Sequence, residues 1–70
     1  MEINFNPYTA NVLDYVGKPL VTVADGKSVR ITQAMNGAFT IWLDRELFES
    51  GLGNIAASSV LNRLQCKEVL

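Results

Sequence analysis

The chain reads as an α+β two-layer sandwich: an N-terminal helix, a three-stranded antiparallel meander, a short helical turn and a C-terminal helix. Three observations predict it. Two turn signals, Ala24-Asp25-Gly26 and Met35-Asn36-Gly37, divide residues 20–43 into three alternating stretches. Asn6-Pro7 on one side and Gly17 with Pro19 on the other frame a helical segment. Beyond Asn54, Ala57, Val60, Leu61 and Leu64 recur at i, i+3, i+4 and i+7.

For the first element, Asn6 suits the N-cap, Pro7 the first helical position and Gly17 a left-handed stop, so a helix is expected over about 7–16. Tyr8, Val12, Tyr15 and Val16 would fall near one face, with Leu13 beside them.

The meander's register follows from parity. A two-residue loop at Asn36-Gly37 would set Ile31 against Trp42 and mix the aliphatic row with polar residues. A three-residue loop with Gly37 in the left-handed conformation instead pairs Gln33 with Phe39, Ile31 with Ile41 and Val29 with Leu43. The same loop at Ala24-Asp25-Gly26 pairs Val21 with Val29. Val21, Val23, Val29, Ile31, Phe39, Ile41 and Leu43 then point inward, and Leu20, Thr22, Ser28, Arg30, Thr32, Thr40 and Trp42 line the opposite face. Arg30 lies opposite Trp42, where a cation–π contact would contribute roughly 0.5–1 kcal/mol.

After the meander, Asp44 can cap a short helical turn through Leu47 and Phe48, broken by Ser50-Gly51-Leu52-Gly53. Asn54 opens the last helix, with Arg63 and Lys67 at its C-terminal end, where the macrodipole favours cations. The Ala56-Ala57-Ser58-Ser59 run permits close approach, either of this helix to the sheet or of one copy to another.

Seventy residues predict one small domain, residues 1–70, with a core that leaves little margin; dimerisation or a tight partner would offset this. Net charge is −1, and Lys18, Lys27, Arg30, Arg45, Arg63 and Lys67 are scattered, which disfavours a phosphate-backbone binder. Without a signal peptide or a long apolar run, the expectation is a soluble, cytoplasmic protein. The single cysteine, Cys66, reads as a small buried hydrophobe.

There is no histidine, so Ser-His and Cys-His nucleophile pairs are impossible within one chain and no enzyme is expected. Asp44, Glu46 and Glu49 read as a solvated helix start rather than a metal site. Ser50-Gly51-Leu52-Gly53 lacks the spacing and lysine of a phosphate loop and reads as a corner between helices. No catalytic residue, cofactor or metal is expected.

The element order, with Ser50-Gly51-Leu52-Gly53-Asn54-Ile55-Ala56-Ala57 opening the final helix, is similar in outline to a double-stranded-RNA-binding domain. That family places a lysine cluster at this helix start, and residues 50–62 carry no lysine. A second likeness covers about a third of the chain. Thr9-Ala10, Arg30-Ile31 running to Asn36-Gly37, and Ser50-Gly51-Leu52-Gly53 followed by Ile55 and an amphipathic helix resemble a member of the small phage-encoded anti-CRISPR proteins that inhibit type I-F surveillance complexes. That member begins with a strand, and its acidic contact in the middle strand falls at Thr32. The resemblance implies a non-catalytic inhibitor that occludes a nucleic-acid-binding protein through its sheet face.

These residues point to a protein-binding module whose contact face comprises Leu20, Arg30, Thr32, Thr40 and Trp42. Trp42 is either its anchor or an edge residue shielded by Leu20 and Arg30. The rival expectation is a nucleic-acid-binding regulator using the same face, with Arg30, Lys18 and Lys27 on phosphates.

Overall fold

The aliphatic rows of the second and third strands come into register as the Gly37 loop requires. In the computed structural model, which describes residues 3–6 and 8–69, Ser28–Gln33 and Phe39–Leu43 pair antiparallel, with Val29 opposite Leu43, Arg30 opposite Trp42 and Ile31 opposite Ile41. Met35-Asn36-Gly37 is a three-residue loop closed between Ala34 and Ala38, and Gly37 adopts φ +89°. Val29, Ile31, Phe39 and Ile41 are consequently buried, and Arg30 and Thr32 are exposed on the opposite face.

With strands numbered in chain order, β1 is Leu20–Thr22, β2 Ser28–Gln33, β3 Phe39–Leu43, β4 Glu46–Leu52 and β5 Cys66–Glu68; the helix α1 spans Asn54–Leu64. The five strands form one antiparallel sheet in the order β4-β3-β2-β1-β5. The architecture is α+β: α1 lies on one side of the sheet, where Ala57, Val60 and Leu61 join Leu20, Val29, Ile31, Phe39, Ile41, Phe5, Val12 and Cys66 in the core.

The β1–β2 register corrects the sequence reading. Leu20, not Val21, pairs with Val29. The loop has four residues, Val23–Gly26, because Thr22 and Lys27 close it: the Thr22 amide donates to the Lys27 carbonyl at 2.9 Å, and the Lys27 amide donates to Thr22 Oγ1 at 3.0 Å. Gly26, at φ +68°, donates to the Thr22 carbonyl. One extra loop residue reverses the parity of β1. Leu20 and Thr22 are buried, Val21 is half-buried and Val23 is 39 % exposed. The buried Thr22 hydroxyl is acceptable in the core because it has its own partner.

The expected N-terminal helix is replaced by a turn and a short 3-10 helix at Val12–Tyr15. The asparagines explain the difference. Asn6 Oδ1 accepts from the Tyr8 amide, and Asn11 Oδ1 accepts from the Leu13 amide, so each side chain closes a local turn that competes with continuous helix. The Val12 amide, which a helix would direct four residues back along the chain, instead donates to Asn54 Oδ1 at 2.8 Å, while Asn54 Nδ2 donates to the Ala10 carbonyl. Tyr8 is 90 % exposed rather than on a packed face. The expected role of Pro7 at the start of a helix lies outside the described residues. Gly17 does stop the element, at φ +80°.

The expected helical turn after the meander is strand β4. Asp44 and Arg45 form a two-residue hairpin loop with φ +50° and +70°, so that Leu43 opposes Glu46. Asp44 is anchored to Ser28 twice, its amide donating to the Ser28 carbonyl and its Oδ1 accepting from the Ser28 amide, both at 2.9 Å. The carboxylate expected to cap a helix therefore ties one hairpin to the next. Lys67, expected at a helix end, lies in β5: α1 stops at Gln65, at φ +53°, and the chain turns back to pair with β1.

Helix α1 starts at Asn54 as read from the sequence. Ala57 and Ser58 of its small-residue run are buried in the protein's own core, which supports packing on the sheet. In its last turn, Asn62 grips the N-terminal segment: Oδ1 accepts from the Phe5 amide and Nδ2 donates to the Phe5 carbonyl, both at 2.8 Å. Phe5 itself is fully buried, with its ring 4.9 Å from Tyr15 in an edge-on arrangement. Asn62→Ala should lower folding stability by about 1–3 kcal/mol, since two peptide groups lose their partner. Ile41→Ala should cost roughly 2–5 kcal/mol through the cavity it leaves. Urea unfolding of both variants provides the check.

A candidate protein-binding face on the open side of the sheet

Alternation along β2 and β3 sends Arg30, Thr32, Thr40 and Trp42 to the side of the sheet opposite Ile31 and Ile41. These four expected contact residues are brought together. Leu20 is not: it is 1 % exposed and belongs to the core, because the four-residue β1–β2 loop turned its row over. Only the edge of Leu20 contributes to a groove on this face.

The indole of Trp42 is half-buried, and its Nε1 donates to Thr32 Oγ1 at 2.9 Å, diagonally across the β2–β3 ladder. This hydrogen bond satisfies the ring's donor and holds the indole over the sheet. The stacking expected between Arg30 and Trp42 is not formed; among the described residues the cation–π contact is Lys18 over the Tyr15 ring, at 5.6 Å. Arg30 remains the direct register partner of Trp42 with its guanidinium exposed.

Beside the indole runs a groove of about 620 Å³, bordered by Trp42, Arg30, Thr32, Ser28, Arg45 and Val69. Three of the face's residues were not found from the sequence. Arg45 comes to the groove because the β3–β4 connection is a hairpin; Leu47 joins because it opposes Trp42; Val69 follows β5. Leu47 and Val69 are 58 % and 51 % exposed. A signal for the hairpin existed in Leu43-Asp44-Arg45-Glu46, since Asp tolerates the left-handed region that such loops need, but arginine in the second place hid it. A non-glycine residue there costs about 1–2 kcal/mol. Of the three non-glycine residues at positive φ, Asp44, Arg45 and Gln65, Arg45 is the one that lines the groove.

The remaining polar chemistry is dispersed. Glu49 reaches 3.9 Å from Arg63 on the helix side, while Asp44 serves the Ser28 amide. Among the described residues no three metal-ligating side chains gather, and no helix is long and apolar enough to cross a membrane. Of the cations assigned to phosphates in the nucleic-acid reading, Lys18 lies over Tyr15 and Lys27 ends the β1–β2 loop, so neither lines the groove beside Arg30. Comparison with protein-family models, curated proteins and solved structures finds no match.

Cys66 is fully buried, and desolvation pushes its thiol from 9.0 up to about 11. Because the folded state favours the protonated thiol, this contribution to stability is complete below pH 9.0 and is lost as pH rises through about 11. Urea midpoints measured over that range should fall more steeply for the wild type than for Cys66→Ala, and the native thiol should resist alkylation at pH 8.

Proposed function

We propose that this chain is a non-catalytic protein-binding module and that the open sheet face is its contact surface. The observation that carries the reading is the placement of Trp42. A half-buried indole with its donor already satisfied stands beside a groove, with exposed Leu47 opposite it and Val69 across the groove. A rigid aromatic anchor flanked by aliphatic and arginine side chains is the composition that interface centres favour. The segments similar to type I-F anti-CRISPR proteins support a narrower version, an inhibitor that occludes a nucleic-acid-binding protein through this face.

Trp42→Ala should weaken binding of the partner by about 2 kcal/mol or more and leave the fold intact, because the ring lies outside the core. Partners captured from nuclease-treated lysate would be purified and titrated against wild type and Trp42→Ala, with a purified type I-F surveillance complex as a directed test of the inhibitor reading. Capture that disappears with nuclease, or affinity that falls steeply with salt and ignores Trp42, would favour the nucleic-acid reading instead.

A further inference from the structure

The open face has a charge of its own. The chain as a whole carries a net charge of −1, yet alternation places Arg30 and Lys67 on the groove side of the sheet, and the β3–β4 loop adds Arg45. The strand-borne carboxylates go to the other side. Glu46 shares a row with Leu43, Glu49 with Ile41 and Glu68 with Leu20, all on the helix-covered face. Asp44, the other acid adjacent to Arg45, has an oxygen committed to the Ser28 amide. Among the described residues neither Arg30 nor Arg45 forms an ion pair, and no carboxylate lines the groove.

Such segregation in a slightly acidic protein leaves Arg30 and Arg45 beside a groove that has Trp42, with Leu47 opposite it, on one side and Val69 on the other. Guanidinium groups bind carboxylates through paired hydrogen bonds, and aliphatic side chains fill the space beside an indole. Resting on the protein-binding reading above, we infer that the occupant of this groove is an acidic, aliphatic segment of a partner protein, its carboxylates held by Arg30 and Arg45 and its apolar side chains set against Trp42. Three cations are too few to hold a phosphate backbone firmly, and the aliphatic side chains of Leu47 and Val69 have no role in phosphate binding. Arg45 is the specificity-determining residue that carries backbone strain to be there.

Fluorescence anisotropy on the full chain tests this with a labelled dodecapeptide rich in Glu and Leu, its Gln-for-Glu counterpart, and an oligothymidylate of equal length. The Glu peptide should bind about tenfold more tightly than the Gln peptide. Arg30→Gln and Arg45→Gln should each erase most of that preference without lowering the urea midpoint. Arg45→Gly should erase it while holding or raising the midpoint, because glycine relieves the left-handed backbone; a purely structural role for Arg45 would show no change in peptide preference. Equal binding of the Glu and Gln peptides, both weakened by Trp42→Ala, would overturn the acidic occupant and leave the protein-binding reading standing. Preferential binding of the oligothymidylate would overturn both. Failure of the Glu peptide to bind at about 1 mM would overturn the acidic occupant.

Discussion

A strand shows its side chains to alternate faces, so the length of one loop decides what a sheet buries. Here that constraint acts twice. The three-residue loop ending at Gly37 aligns Ile31 with Ile41 and Val29 with Leu43, which makes one face a continuous aliphatic surface and leaves Arg30, Thr32 and Trp42 on the other. The four-residue loop ending at Gly26 then turns Leu20 and Thr22 inward. The aliphatic surface that α1 covers and the placement of Arg30 and Trp42 on the opposite side follow from these two parities.

The helix side is completed by an irregular segment whose backbone needs partners. Among the described residues of 3–15 the regular structure is a short 3-10 helix, and amide groups without regular pairing are costly when covered. Two side chains of α1 supply them. Asn54 binds the peptide groups of Ala10 and Val12, and Asn62 binds both polar groups of Phe5, as a neighbouring strand would. With Ile3 donating to the Cys66 carbonyl beside β5, the segment seals the far edge of the core over Phe5 and Val12. Helix α1 is thus both a packing surface and a template for chain that has no ladder of its own.

On the other side of the sheet the features share a cause. The Asp44-Arg45 hairpin is tied to Ser28 through Asp44, so the connection that extends the sheet by β4 also presents Arg45 beside Trp42. β4 brings Leu47 opposite the indole, and β5 brings Lys67 and Val69 to the same face. Without the two outer strands the face would be the narrow strip of β1–β3. With them it becomes a groove in which Trp42 and Val69 stand beside Arg30 and Arg45.

Local chemistry by itself determined the strands of the β2–β3 hairpin, its register, the placement of Arg30, Thr32, Thr40 and Trp42, and the start and buried stripe of α1. For the hairpin, the aliphatic period together with a glycine needing positive φ admits one good solution, and for the stripe of α1 the helical period does. Tertiary structure alone decided the rest. Asn6-Pro7 to Gly17 has the punctuation of a helix, but Val12 and Ala10 are claimed by Asn54 from 42 and 44 residues away. Asp44 reads as a cap until Ser28, 16 residues away, takes its carboxylate. Leu20 and Val21 are nearly equivalent in hydrophobicity, so which is buried depends on Thr22 closing a longer loop and on β5 arriving beside β1. Partners distant in the chain outweigh local preferences of about 1 kcal/mol, and those partners are visible only once the chain has folded.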